Sequence, residues 1–138
     1  MKKLGVFIVG ARGNVATTTI VGALAVSRGL AASTGLVTEG PEFRGLGLAA
    51  LGDLEFGGVD VSSTSLETKA VELGESRILP AKLAQALSAE LAQVDRGVLT
   101  VEGFKFGALP RGGYLAELTR MEEAIARFRS DRDLERVV

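Results

Sequence analysis

The sequence predicts an α/β fold in which helices flank a parallel sheet, and three observations support this. Residues 4–9 form a short apolar run, which is typical of a strand buried on both faces. A glycine turn begins directly after it, at Gly10. Residues 14–27 are then compatible with a helix, and Gly29 is a plausible stop. Strand, glycine turn and helix in this order predict a Rossmann-type fold.

Two further strands are predicted in the middle of the chain, and a third extended segment is predicted beyond them. Residues 36–38 are expected to form a short second strand, and the glycine-rich residues 40–52 an ordered loop. Residues 54–61 are a candidate third strand with its exit turn. Residues 98–101 are expected to form a short strand or an extended connection.

Three more helices are predicted in the rest of the chain. Thr64 and Glu67 have the spacing of a capping box, so the first helix should begin near residue 65 and run towards residue 73. Pro80 suits the first turn of the second. Apolar residues at helical spacing mark one face of the second and third helices, and we expect both faces to pack in the core. These residues are Leu83, Leu87, Leu91 and Val94, and then Leu115, Leu118, Met121, Ile125 and Phe128.

The last residues, 134–138, have the pattern of another buried strand. A doubly wound sheet that stopped there would lack its remaining strands. We therefore expect residues 1–138 to be a partial Rossmann-like domain, truncated before the remaining strands and the catalytic domain.

Composition and charge narrow the class of protein. The 138 residues fit one domain, and 16 basic against 17 acidic residues give a net charge of -1. No large basic field is therefore available to attract nucleic acid. No apolar stretch approaches the roughly 20 residues of a membrane span, and Arg12 and Gly13 interrupt the N-terminal apolar run before a signal-peptide cleavage site. We expect a cytoplasmic protein with neither a nucleic-acid nor a membrane partner.

Cysteine and histidine are both absent from the chain. This excludes disulfides and thiolate metal sites, and it removes the commonest general base and the commonest metal ligand. The composition therefore favours a segment that binds a ligand over one that transforms it alone.

The sharpest motif is the turn itself, in which Gly10, Gly13 and Ala16 have G-x-x-G-x-x-A spacing. In a dinucleotide-binding turn the glycines permit the tight bend and a close approach of the pyrophosphate, and a third small residue allows helix and strand to pack closely. The pyrophosphate would lie on free N–H groups at the helix N-terminus. Arg12 stands where the commoner fingerprint has glycine. The alternative is a structural turn without a ligand.

Two acidic residues compete for the position that binds a ribose 2′-hydroxyl in such folds. Glu39 follows the predicted second strand, and Asp60 ends the predicted third. Asp60 can instead cap the following helix, so NAD and NADP both remain open. Thr17 and Thr18 can add hydroxyl contacts to a phosphate.

Three segments resemble the myo-inositol-1-phosphate synthase family. Residues 9–18 are similar to its glycine-asparagine loop, residues 41–45 to its Pro-Asn-aromatic segment, and residues 56–61 to its Gly-Trp-Asp-Ile motif. The chain departs from the family in having Val59 in place of the tryptophan, and Val15 with Ala16 in place of an asparagine and a glycine. These departures point to a divergent branch or a synthase-related protein.

The resemblance implies the NAD-binding part of an isomerase that converts glucose 6-phosphate to myo-inositol 1(3)-phosphate. In that family NAD transiently oxidises the sugar and is then regenerated, so no net redox change occurs. The resemblance also implies six cofactor-site residues, of which Gly10 and Arg12 shape the loop and the others contact NAD. These others are Gly13, Asn14, Val15 and Asp60.

The family's catalytic lysines belong to a later domain, so the resemblance assigns no catalytic residue here. We expect Lys69, Lys82 and Lys105 to be surface or packing residues, and the fragment to be inactive alone. A sugar phosphate would bind only with the missing domain, and a homo-oligomer is possible. Two alternatives stay open: an NAD(P)-dependent sugar or amino-acid dehydrogenase fragment, and a non-catalytic nucleotide-binding module.

Overall fold

A four-stranded, all-parallel sheet forms the centre of the molecule in a computed structural model that describes residues 3–101 and 112–138. The strands are β1 (Leu4–Val9), β2 (Leu54–Asp60), β3 (Val98–Thr100) and β4 (Arg136–Val137). Their order across the sheet is β3-β2-β1-β4. This is the order of the first four strands in a Rossmann sheet, so the predicted fold class is confirmed.

Five helices accompany the sheet in the described residues. They are α1 (Asn14–Ser27), α2 (Leu66–Glu75), α3 (Ala81–Ala86), α4 (Ser88–Asp95) and α5 (Gly113–Asp131). Short 3₁₀ turns lie at Val37–Glu39, Pro41–Phe43 and Leu51–Asp53. Among the helices described, none is long and apolar enough to cross a membrane.

The two faces of the sheet are covered by different helices. Val6 and Ile8 of β1 pack against the main core, which includes buried side chains of α1, α2, α3 and α4. Residues alternate between the faces of a strand, so Gly5 and Phe7 point the other way. On that side the Phe7 ring meets Phe128 of α5 edge to face, with ring centroids 5.7 Å apart.

The start of the chain matches its prediction closely, whereas the predicted second strand is wrong. Strand β1 and helix α1 have the predicted bounds. Residues 36–38 lie instead in and before an exposed 3₁₀ turn, because Gly35 has a φ of 89° and Val37 is 69% exposed. The short segment buries no apolar face. Leu54–Asp60 is consequently the second strand, not the third.

Two helix predictions need correction, although their apolar face is confirmed. The N-cap of α2 is Ser65 and not Thr64, since the Ser65 hydroxyl accepts a hydrogen bond from the N–H of Thr68 at 3.1 Å. The helix predicted from Pro80 to Val94 is two helices, because the backbone departs from helical geometry at Leu87. Leu87 and Leu91 are nevertheless fully buried, as the pattern predicted.

The apolar stripe of the last helix packs only in part. Phe128 is buried, but Leu115 and Leu118 are 78% and 53% exposed, and Ile125 is exposed as well. A 19-residue helix is about 28 Å long, whereas a six-residue strand is about 20 Å, so α5 is longer than the strand that it packs on. Of the lysines predicted at the surface, Lys69 pairs with Glu72 and Lys82 is exposed. Lys105 lies outside the described residues.

We predict that Gly58→Ala lowers the free energy of unfolding by at least about 2 kcal/mol. A Cβ atom at position 58 would lie 2.0 Å from the Ile8 carbonyl oxygen. The backbone φ of Gly58 is 157°, which also disfavours a side chain. Chemical denaturation measures the effect. The control is Gly22→Ala in α1, where nothing lies within 4 Å of the added carbon. This control should gain about 1 kcal/mol, because alanine favours the helix; equal effects of the two changes would contradict the strand packing.

We further predict that Glu55→Gln destabilises the protein at neutral pH but not in strong acid. Burial by itself would raise the pKa of the Glu55 carboxyl, but hydrogen bonds and positive charges from Lys3 and Arg132 outweigh it and lower the pKa below its ordinary value of 4.5. A lowered pKa gives stability that is present above the unfolded-state pKa and is lost as the pH falls through the folded-state pKa. Denaturation of both proteins between pH 7 and 2 tests this, and a pH-independent difference would contradict it.

Candidate functional site

The glycine loop between β1 and α1 is held by backbone hydrogen bonds at the carboxyl edge of the sheet. The N–H groups of Gly10 and Ala11 both donate to the Val59 carbonyl oxygen, at 2.8 and 3.2 Å. Gly10 has a φ of 84°, which glycine adopts without strain. The N–H of Gly13 then donates to the Gly10 carbonyl at 3.0 Å. The loop is therefore a closed turn that delivers the chain to the start of α1.

The first turn of α1 exposes unused backbone donors. Gly13 is the N-cap residue and has no side chain to cap the helix. The first bond into the helix runs from the Thr17 N–H to the Gly13 carbonyl, at 2.9 Å, so the N–H groups of residues 14–16 have no partner within it. Asn14 and Val15 are exposed, Val15 at 82%. This helix end can accept an anion on its N–H groups and its dipole.

Asp60 ends β2 and ties it to the glycine loop. Its Oδ2 accepts from the backbone N–H of Arg12 and its Oδ1 from that of Ser62, each at 2.7 Å. The residue is 7% exposed. It does not cap α2, whose N-cap is Ser65. Since β2 pairs with β1, Asp60 lies at the carboxyl end of the strand beside the glycine loop.

The Arg12 side chain turns away from the exposed helix end and into the domain. It is 7% exposed, and its guanidinium donates to the Asp95 carboxylate at 2.9 and 3.3 Å. Further bonds reach the Ser62 carbonyl and the Thr100 hydroxyl at 2.8 Å each, and the Val98 carbonyl at 3.3 Å. Asp95 was not predicted from the sequence, since it lies 83 residues further along the chain than Arg12. No local pattern marks it.

The other polar residues predicted to contact a ligand are Glu39, Thr17 and Thr18, and the structure places each of them less favourably for such a contact. Glu39 sits in an exposed 3₁₀ turn and not at the end of a strand. Thr17 is fully buried, and its hydroxyl has no hydrogen-bond partner among the described residues. The Thr18 hydroxyl donates back to the Asn14 carbonyl at 2.8 Å. The structure thus brings the glycine loop and Asp60 together, whereas Glu39 does not end a strand.

Apolar surface adjoins the helix end. Val9 is the last residue of β1 and is 70% exposed, and Val61 follows β2 and is 65% exposed. Together with the free N–H groups, this edge can bind a ligand that has both an anionic and a flat apolar part. Within the described residues, the loop offers backbone donors for binding, whereas Arg12 and Asp60 are already engaged.

A separate pocket of about 610 Å³ lies away from the loop, on the sheet face that α5 covers. Phe7, Leu99 and Phe128 contribute apolar surface to it, and Arg96 and Arg127 add charge. None of the residues from Gly10 to Asn14 lines this pocket. The glycine loop and this cavity are therefore separate features of the described surface.

Comparison with known proteins gives one family. No curated protein matches the sequence. An NAD-binding family model described as myo-inositol-1-phosphate synthase matches residues 4–138, which is nearly the whole chain. The glycine loop, Asp60 and the parallel sheet all lie within the matched range. The chain therefore belongs to the myo-inositol-1-phosphate synthase family, through that family's NAD-binding part.

Proposed function

We propose that this chain binds NAD at the N-terminus of α1 and serves as the cofactor-binding part of an inositol-phosphate synthase-like isomerase. The observation that carries the proposal is the exposed first turn of α1, where residues 14–16 offer N–H groups without partners in the helix. A pyrophosphate is the group that such a helix end binds in dinucleotide-binding folds.

The sheet order supports a dinucleotide in particular. Strands β2 and β3 lie on one side of β1, and β4 lies on the other. The strand order therefore reverses between β1 and β4, and ligands of open α/β sheets bind outside the carboxyl ends of the strands at such a switch point. The glycine loop leaves β1 at this point.

The residues around the loop fit the parts of NAD. The N–H groups of Asn14 and Val15 would bind the pyrophosphate, and Gly13 would leave room for its approach. Asp60, at the end of β2, would bind the ribose hydroxyls, and Val9 and Val61 would offer apolar contact to a ring. When bound, NAD supplies a reversible acceptor for hydride. The chain's own contribution is to bind and orient it.

The substrate and partners follow from the family. We propose glucose 6-phosphate as the substrate and myo-inositol 1(3)-phosphate as the product, in a cytoplasmic enzyme that can form a homo-oligomer. The described residues of the loop supply backbone donors instead of an acid–base pair. We propose accordingly that this chain binds the dinucleotide but does not convert the sugar phosphate without a further domain.

We predict that calorimetric titration shows saturable NAD binding, and that Gly13→Val abolishes it. A Cβ atom at Gly13 would lie 3.2 Å from the Gly10 carbonyl oxygen, and a branched side chain would occupy the space of the phosphates. Gly22→Ala, further along the same helix, is the matched control and should bind normally. A folded wild-type chain that does not bind NAD would refute the proposed function.

We also predict that Asp60→Asn shifts the preference of the site from NAD towards NADP. Beside the ribose, the Asp60 charge would repel the extra 2′-phosphate of NADP, and the amide removes that repulsion. The substitution also disturbs a hydrogen bond to Arg12, so a loss of NAD affinity alone does not assign the carboxylate. The informative quantity is the ratio of the two dissociation constants. Parallel losses for NAD and NADP would show that Asp60 only anchors the loop.

A further inference from the structure

We infer that Arg12 is a positioning residue that fixes the direction of the N–H groups at the start of α1 and never touches the phosphates itself. The inference rests on the proposed function. An arginine in a phosphate-binding loop would ordinarily be taken for a direct ligand, because its guanidinium pairs well with phosphate oxygens. The hydrogen bonds of Arg12 argue for the other role.

The guanidinium has no donor left for a ligand. An arginine side chain has five N–H donors, and the structure shows five hydrogen bonds from this one. Nε and Nη2 bind the two oxygens of Asp95, Nη1 binds Ser62 and Thr100, and Nη2 also binds Val98. A phosphate contact would require one of these bonds to break.

If the Arg12 guanidinium moved away, the Asp95 carboxylate would also lose its positive partner. Arg12 and Asp95 have side chains only 7% and 22% exposed. Removing one member of a buried ion pair leaves the other without compensation in a medium of low polarity. The pair therefore holds the guanidinium in place whether or not a ligand is bound.

The contacts connect the loop to most of the sheet edge. Asp95 ends α4, Thr100 ends β3, and Ser62 follows β2. Asp95 Oδ1 also accepts from the N–H of Leu66, at the start of α2, at 3.2 Å. The backbone N–H of Arg12 meanwhile binds Asp60. The residue just before Gly13 is thus fixed through its main chain and its side chain, which sets the orientation of the donors that follow.

Two charge-conserving or isosteric variants separate the two roles, with NAD affinity measured by NMR titration. Arg12→Lys keeps the positive charge but cannot reproduce the forked bonds. A direct ligand would keep most of its contribution, since lysine also binds phosphate through its charge. A positioning residue would not, and we expect NAD binding to weaken about tenfold, the loss that corresponds to one hydrogen bond to a charged group.

Asp95→Asn separates the two roles from the other side of the ion pair, because it changes the partner of Arg12 and leaves Arg12 itself intact. If Arg12 contacted the phosphates directly, weakening its hold on Asp95 would leave NAD affinity unchanged or improve it. The positioning role instead predicts a loss similar to that of Arg12→Lys. Adenosine, which lacks the pyrophosphate, is the control ligand, and its affinity should not change in either variant. Retained NAD affinity in Arg12→Lys, or an equal loss for NAD and adenosine, would overturn the inference.

Amide hydrogen exchange tests the positioning role without any ligand. It can therefore be measured even if Arg12→Lys or Asp95→Asn folds poorly, or if the chain does not bind NAD. Thr100→Val removes a single acceptor at the exposed end of β3, so it should fold. We expect the amide hydrogens of Arg12 and Gly13 to exchange several-fold faster in this variant, while those of α2 stay unchanged. Unchanged exchange in the loop would overturn the positioning role. Failure of the folded wild type to bind NAD would instead refute the proposed function.

Discussion

The parallel pairing of β1 with β2 determines the geometry of everything at the carboxyl edge of the sheet. In this register Ile8 lies beside Gly58, and Val9 lies beside Val59. The Val59 carbonyl can therefore accept the N–H groups of Gly10 and Ala11 as the chain leaves β1. Asp60, one residue further along β2, then meets the N–H of Arg12. A shift of one residue in the register would separate all of these partners.

The charges beneath the loop explain why an anion would be held by backbone groups. The buried guanidinium of Arg12 is paired with the carboxylate of Asp95, while the Arg12 backbone N–H binds the carboxylate of Asp60. Because the Arg12 charge is already paired with Asp95, it does not supply an unpaired positive charge for a phosphate. Attraction for an anion must come from the free N–H groups and the dipole of α1, whose effect is concentrated within the first turn. We thus propose that the N–H groups of α1 bind the anion, whereas the buried charges hold the loop in its conformation.

The sequence predicted the parts of the site that depend on local pattern. The apolar run of β1, the glycines after it and the start of α1 lie within about two dozen residues, so spacing alone locates them. Asp60 was found because it ends an apolar strand. Asp95 was missed because its partner Arg12 lies 83 residues away, and only folding brings the two together. The position of Glu39 was likewise misjudged, because the predicted second strand before it does not form.

The elements that shape the loop all belong to one side of the molecule. Its partners come from β2, β3, α2 and α4, and α1, α2 and α4 contribute buried residues to the main core along with Val98 of β3. Helix α5 lies on the other face and meets the sheet through Phe128, while Leu115 and Leu118 remain exposed. Changes in how α5 packs would therefore reach the loop only through the strands. Gly10 and Asp60 are joined to each other through the β1–β2 pair and Arg12, so the shape of the loop depends first on the pairing of these strands and on the core beneath α1.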